Sequence, residues 1–165
     1  KVFAADFNKP SLVDLLYIGM NLERGTWRFY TAVLARYAGS SFTRSVDLLA
    51  RAEEGHARLL YTFWAAEQED PLSFEEVYEA MPGDIVEGGQ EVDAMVERLA
   101  HLSEDPCLDI IEMALGIEFS AYDLYRSMAH RFVGTPMEKS FLAIAQAEKE
   151  HMRIASEALQ YCEEI

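Results

Sequence analysis

The sequence has 165 residues, 50% of them hydrophobic, which indicates a globular chain with a full core and excludes a disordered one. It carries 29 acidic and 14 basic residues, and the formal net charge of −15 argues against nucleic acid or an anionic membrane surface as a partner. Because it has only two cysteines, the chain cannot build a four-cysteine zinc or iron site by itself.

The first part of the chain predicts an antiparallel pair of helices. Residues 1–10 are expected to form an irregular lead-in, and Ser11 is a typical helix-capping residue. A first helix should therefore cover about residues 11–38, with apolar side chains recurring at helical spacing along one face. Gly39 is expected to make the turn into a second helix at about residues 42–67.

Residues 68–105, which we call the crossover, contain several helix breakers, among them Gly88-Gly89. Two stretches between the breakers, at about 73–81 and 92–102, have the pattern of short helices. A connection this long is unusual between neighbouring helices, so we expect it to carry the chain along the length of a bundle. An alternative is that the crossover mediates contacts in a dimer.

The last part of the chain predicts a second pair of helices, at about residues 106–133 and 136–162, with a turn at Gly134. The whole sequence is therefore expected to be a single all-α domain, 1–165. Its predicted architecture is a four-helix bundle made of two antiparallel helix hairpins that are joined by the crossover.

One polar pattern occurs twice in the chain, 95 positions apart. Each half has a glutamate on an otherwise apolar helix face, followed 30 residues later by Glu-x-x-His, whose two side chains lie on one face of a helix. A buried carboxylate is costly unless it is paired or bound to metal. The candidate metal ligands are Glu23, Glu53 and His56 in the first half, and Glu118, Glu148 and His151 in the second.

Carboxylate and imidazole ligands suit iron or manganese better than structural zinc, which favours thiolates and closed four-coordinate sites. Four glutamates balance the charge of two divalent ions. The expected cofactor is therefore a pair of metal ions, with iron favoured and manganese or a mixed pair also compatible with these ligands. The competing interpretation is a non-catalytic bundle in which the polar set is coincidental.

In this six-residue pattern the chain resembles the ferritin-like superfamily, and within it the rubrerythrin-like branch, over residues 11–163. The resemblance implies a di-iron carboxylate oxidoreductase that oxidises ferrous iron with peroxide or oxygen, a chemistry linked to oxidative stress. A ferritin-like iron-handling protein with ferroxidase activity is the alternative. By resemblance, Glu53 and Glu148 would bridge the two metals, Glu23 and His56 would complete one site, and Glu118 and His151 the other.

The sequence departs from the patterns of related families at several positions. Rubrerythrins have a further glutamate one turn after the third-helix ligand, where this chain has Ala121, and the equivalent residue of the first half is Thr26. Rubrerythrins also carry a four-cysteine rubredoxin domain, so here the electrons are expected to come from a separate donor protein. Glu54 occupies the place of the haem-binding methionine of bacterioferritins, and no haem is therefore expected.

Two further pairs of residues are candidates for supporting roles. Tyr30 and Tyr125 each follow a predicted ligand by seven residues, and they either hydrogen-bond the ligands or are ordinary core residues. Cys107 and Cys162 are interpreted mainly as reduced, buried thiols of a cytoplasmic protein. However, the predicted fold puts them at the same end of the bundle, which leaves a redox role open.

The remaining expectations concern partners and location. The sequence has no apolar run of about 20 residues, the length that a membrane-spanning helix requires, so no membrane partner is expected. The resemblance suggests a homodimer or a larger homo-oligomer. A cytoplasmic location is expected for such a chain.

Overall fold

In a computed structural model, which describes residues 10–162, the predicted all-α class is confirmed. Within those residues the only extended pairing is an isolated bridge between Ile85 and Glu91. No helix among them is long and apolar enough to cross a membrane. The helices are α1 (Leu12–Arg36), α2 (Thr43–Ala66), α3 (Phe74–Ala80), α4 (Val92–Leu99), α5 (Cys107–Arg131) and α6 (Pro136–Ala158), and a 3₁₀ turn (Leu159–Cys162) ends the described chain.

The ends of the long helices follow local signals in the sequence. The Ser11 hydroxyl accepts a hydrogen bond from the backbone N–H of Asp14, and the Asp14 carboxylate accepts one from the Ser11 N–H, which makes a capping box for α1. The turns after α1 and α5 pass through Gly39 and Gly134, with φ angles of 84° and 80° that favour glycine. Residues 1–9 of the predicted lead-in lie outside the described residues.

The two largest apolar clusters of the core lie toward opposite ends of the bundle. The cluster at the end where α1 finishes includes Phe29 and Ile111, and the cluster at the opposite end includes Leu16 and Phe141. Between the two clusters, at mid-height of the helices, lies the layer of buried carboxylates. Burial of the apolar clusters therefore holds this polar layer in place from both sides.

Part of the crossover packs closely against two helices of the bundle. Its loop at residues 85–91, which we call the inner loop, approaches α1 so closely that a Cβ atom on Gly25 would collide with the carbonyl oxygen of Ile85. On the other side of the inner loop, a Cβ atom on Gly88 would lie 2.9 Å from the hydroxyl oxygen of Ser120 on α5. The inner loop is thus wedged between α1 and α5.

Replacing Gly25 by alanine should therefore push the inner loop away from α1. We expect a loss of about 2 kcal/mol or more in the free energy of unfolding, because the obstructing atom is backbone and cannot rotate away. Gly116→Ala on α5 is the matched control: a Cβ atom there meets nothing within 4 Å, and better helix propensity should make this variant equally or slightly more stable. Chemical denaturation of the two variants measures the difference, and equal stabilities would contradict the close approach.

The interpretation of the two cysteines as free thiols is wrong in this structure. Cys107, the first residue of α5, and Cys162, in the closing 3₁₀ turn, form a disulfide with a Cα–Cα distance of 5.3 Å. Because α5 and α6 are antiparallel, the start of α5 and the residues after α6 lie at the same end of the bundle, which the sequence analysis anticipated. The bond closes the second hairpin into a covalent ring.

Candidate metal centre

The four glutamates of the repeated pattern lie together in the middle of the bundle. Each is within two residues of the midpoint of its helix, and each is 0% exposed: Glu23 on α1, Glu53 on α2, Glu118 on α5 and Glu148 on α6. The apolar stripes that surround them turn each of these positions inward. Four carboxylates at one level of a core repel one another unless protons or cations lie between them.

The two histidines close the set from α2 and α6. The Nδ1 atom of His56 lies 2.8 Å from Oε1 of Glu148 and 3.6 Å from Oε2 of Glu23. The Nδ1 atom of His151 lies 3.1 Å from an oxygen of Glu118 and 3.1 Å from an oxygen of Glu148. The two imidazole rings are stacked with their centroids 5.6 Å apart. All six predicted residues are therefore brought to one place.

The two tyrosines are hydrogen-bonded across the hairpins in matching ways. Tyr30 on α1 donates its hydroxyl proton to Oε1 of Glu118 at 2.5 Å, and Tyr125 on α5 donates to Oε1 of Glu23. Each tyrosine thus leaves the second oxygen of its glutamate free to face the centre. Of the two interpretations left open by the sequence, the structure shows the hydrogen-bonded one.

The donor atoms group in a way that fits a metal pair. Oxygen and nitrogen atoms of Glu23, Glu53 and His56 lie within 4.8 Å of one another, and so do those of Glu53, Glu118, Glu148 and His151. Glu53 is common to both groups, as a bridging ligand would be. Oε2 of Glu23 and both oxygens of Glu53 are buried without a hydrogen-bond partner in the described part of the chain. Unpartnered buried carboxylate oxygens of this kind match the preference of iron and manganese for oxygen ligands.

In the protein without metal, the centre adjusts to this crowding by redistributing protons. Burial, supported by the neighbouring Glu148, raises the pKa of Glu118 to about 8, and burial together with the charge of Glu23 raises the pKa of Glu53 well above its ordinary value. Burial lowers the pKa values of both histidines, but the surrounding carboxylates outweigh it and raise them to about 10 for His56 and about 9 for His151. Burial also opposes ionisation of Glu148, yet the two histidines bring its pKa down to about 2.

These shifts predict that the metal-free protein loses stability as the pH rises. The raised pKa of Glu118 stabilises the fold fully below its ordinary value of 4.5, and this contribution is lost as the pH approaches 8. The stability contributed by the raised pKa values of His56 and His151 is complete below pH 6.5 and is lost as the pH rises toward 9–10. The lowered pKa of Glu148 has the opposite effect on the pH dependence, because the stability that it contributes is lost only as the pH falls from 4.5 toward 2.

We therefore expect the metal-free protein to lose on the order of 3 kcal/mol between pH 5 and pH 9, which corresponds to a fall of about 10 °C in melting temperature. Thermal unfolding monitored by circular dichroism across this range measures the slope. The same series with excess Mn²⁺ is the control, because bound ions should replace the protons and flatten the slope. Stability that rises with pH in the metal-free protein would contradict the assignment of these protons.

A further carboxylate that the sequence analysis did not select reaches the same centre. Glu87, in the inner loop, is 1% exposed, and one of its oxygens lies within 4.8 Å of oxygens of Glu23 and Glu148. Burial and the charges of Glu23 and Glu148 raise its pKa well above the ordinary value. The only signals in the sequence are the apolar pair before it and the two glycines after it, which indicate a turn and not a ligand.

The positions at which the sequence departs from related families have clear surroundings. Ala121 and Thr26 are both 0% exposed, so no carboxylate from α5 or α1 enters the centre at these two places. The Thr26 hydroxyl oxygen instead accepts a hydrogen bond from the backbone N–H of Glu87 at 3.2 Å. Glu54 faces away from the centre, half exposed, and pairs with Arg58.

Comparison with known proteins gives one match. Residues 109–164, which cover α5 from Asp109 onward, α6 and the closing 3₁₀ turn, match the family model described as Rubrerythrin. Neither the curated proteins nor the solved structures give a match to the chain. The matched stretch contains Glu118, Glu148 and His151, one half of the repeated pattern.

Proposed function

We propose that this protein, whose matched segment is rubrerythrin-like and whose helices form a ferritin-like bundle, is a di-iron carboxylate oxidoreductase that reduces peroxide or oxygen. The observation that carries the proposal is the convergence of two copies of the Glu and Glu-x-x-His set on one buried layer. This donor set is the one that four-helix di-iron carboxylate proteins use. A metal pair of other composition, manganese or mixed, uses the same atoms.

In the proposal, Glu53 and Glu148 would be shared by the two ions, Glu23 and His56 would complete one metal position, and Glu118 and His151 would complete the other. A bound ferrous pair supplies two electrons, which is the number needed to reduce one peroxide to two waters. The tyrosines hold Glu23 and Glu118 in fixed orientations through their hydrogen bonds. The apolar clusters above and below the layer exclude bulk water from it.

The electron donor and the oligomeric state are proposed from the resemblance to rubrerythrins. Both cysteines of this chain are joined to each other, so in the proposal a separate donor protein returns electrons to the ferric pair. We propose a homodimer or a larger homo-oligomer, with no nucleic acid or membrane as a partner and no haem. The cytoplasmic location stays a prediction, and the disulfide bears on it because such bonds persist mainly in oxidising compartments.

Iron handling is the second candidate function. The formal net charge of −15 attracts cations to the surface, which suits a protein that takes up ferrous iron and oxidises it. Storage of the oxidised iron would also need a closed shell of many copies. A cage-sized particle in solution would favour this function, whereas a monomer or dimer would oppose storage.

The test is the oxidation of the ferrous protein. Metal-free protein is loaded anaerobically with two equivalents of Fe²⁺ and mixed rapidly with peroxide or with oxygenated buffer, while near-ultraviolet absorption reports ferric iron. Faster oxidation by peroxide supports the peroxidase-type reaction, and faster oxidation by oxygen favours the ferroxidase. Failure of the chain to retain iron would overturn both.

A further inference from the structure

We propose that Glu87 is a seventh protein ligand of the metal pair, supplied by the crossover and not by a bundle helix. In this assignment Glu87 binds the ion that Glu23 and His56 hold, on the α1 side of the centre. The inference rests on the proposed metal centre and adds a residue, and an asymmetry, that the repeated pattern does not contain.

The backbone of Glu87 is held in place by three contacts of the inner loop. Its N–H donates to the buried hydroxyl oxygen of Thr26 at 3.2 Å. The close approach of Gly25 to Ile85 fixes one side of the loop against α1, and the absence of a side chain at Gly88 lets its other side lie against α5. Gly25 is needed here because a Cβ atom would collide with the loop backbone, and Gly88 is needed because its φ of 103° favours glycine. The position of the Glu87 Cα atom is therefore defined by packing, as a ligand position must be.

Among residues 10–162, the side chain of Glu87 has no partner that would explain its burial. Both carboxylate oxygens are buried, and neither has a hydrogen-bond partner among the described residues. The groups that the carboxylate does meet are oxygens of Glu23 and Glu148, within 4.8 Å. His56 lies between Glu23 and Glu148, but Glu87 meets no donor among the described residues, so the three converging carboxylates form a site for a cation, because an unpaired buried charge is strongly unfavourable.

The small residues of the bundle leave room for this arrangement. Thr26 and Ala121, the equivalent positions of the two halves, are both fully buried and have short side chains. On α1 the short side chain of Thr26 has a second use, since its hydroxyl oxygen anchors the loop that carries Glu87. The hydrogen bond thus links a helix position that lacks a carboxylate to the segment that brings one in.

A fifth carboxylate makes the two metal positions unequal. The position on the α1 side would have its own ligands Glu23, His56 and Glu87, whereas the other would have only Glu118 and His151, with Glu53 and Glu148 shared. The negative charge of five carboxylates also exceeds the positive charge of two divalent ions and is smaller than that of two trivalent ions. Glu87 should therefore strengthen one of two binding steps and favour the more highly charged ion at that step.

The experiment is a titration of the metal-free full chain with Co²⁺, followed by calorimetry and by visible absorption. Three proteins are compared: wild type, Glu87→Gln, and Glu91→Gln as the matched control. Glu91 is in the same loop but exposed, so its replacement changes the loop charge equally without touching the centre. Glu87→Gln removes no hydrogen bond of the side chain, so circular dichroism should show an intact fold.

We expect two ions per chain in all three proteins, with one step about tenfold weaker or more in Glu87→Gln and unchanged in Glu91→Gln. The visible Co²⁺ bands of that step should intensify in Glu87→Gln, because loss of a ligand lowers the coordination number. Thr26→Val, which removes only the loop anchor, should weaken the same step by a smaller factor and provides a second variant.

Identical affinities and spectra in wild type and Glu87→Gln would overturn the assignment of Glu87 while leaving the six-ligand centre intact. Equal weakening in Glu91→Gln would likewise overturn it, because the effect would then come from the charge of the loop. A wild-type chain that binds no Co²⁺ would overturn the proposed centre and this inference together.

Discussion

Replacement of both Glu53 and Glu148 by glutamine should give a folded bundle that no longer retains a metal pair. Both residues are 0% exposed, and each contributes to two of the donor groups in the centre. Glutamine keeps the size of the side chain but removes the charge and one acceptor oxygen, so neither metal position keeps its full ligand set. We expect metal content to fall from about two ions per chain to a small fraction of one, with affinity reduced more than about 100-fold.

The controls for this experiment are on the same helices. Glu54 and Glu150 are next to α2 and α6 ligands in sequence but are about half exposed and pair with Arg58 and Arg153. Their double replacement by glutamine removes the same charge and should leave metal content unchanged. The Glu53→Gln, Glu148→Gln protein also loses the charge of Glu148 with which both histidines pair, so without metal at neutral pH we expect it to be folded but less stable than the wild type. Unchanged metal content in that variant would refute the centre.

Reduction of the disulfide should cost roughly 4 kcal/mol of unfolding free energy while leaving metal content unchanged. The two cysteines are separated by 55 positions, and a closed loop of this length restricts the unfolded chain by about that amount. The corresponding fall in melting temperature is about 8–16 °C for a chain of this size. Cys107 lies 11 residues, or about 16 Å, before Glu118 along α5, so the ligands should be unaffected.

The measurement compares thermal unfolding of wild type with and without a reductant, and of Cys107→Ser, Cys162→Ser protein under the same conditions. The double variant should resemble the reduced wild type and should not respond to the reductant. A melting temperature that is unchanged by reduction in the wild type would show that the bond does not form or does not constrain the chain.

The helices and the six-residue set were accessible from the sequence because both follow the fixed period of the α-helix. A glutamate within an apolar stripe has to point into the core. A second glutamate at a similar distance on the other side of a turn glycine, 14 residues after it against 16 before it, lies at nearly the same level. Gly39 and Gly134 made the two hairpins recognisable, and the repeat of 95 positions linked them. No long-range information was needed for this part of the fold.

Glu87 and the disulfide were not accessible in the same way. Glu87 lies in an irregular segment, where no periodic rule relates sequence position to side-chain direction. Its burial depends on the contacts of the inner loop with Gly25 and Thr26 of α1 and with Ser120 of α5. The cysteines were placed at one end of the bundle, but bond formation depends on the register of the residues after α6. There the helix gives way to a 3₁₀ turn, which changes the direction of the last side chains.

The polar layer between the two apolar clusters has a consequence for the abundance of the protein in a cell. If ions bind only the folded chain, each binding step adds stability that grows with metal supply, by about 4 kcal/mol when the free ion is at a thousand times its dissociation constant. A chain made during metal shortage would keep its five buried carboxylates without that support, and it would open more often to proteases. Its turnover would then follow the supply of the ion, and scarcity would clear the empty protein without a dedicated regulator.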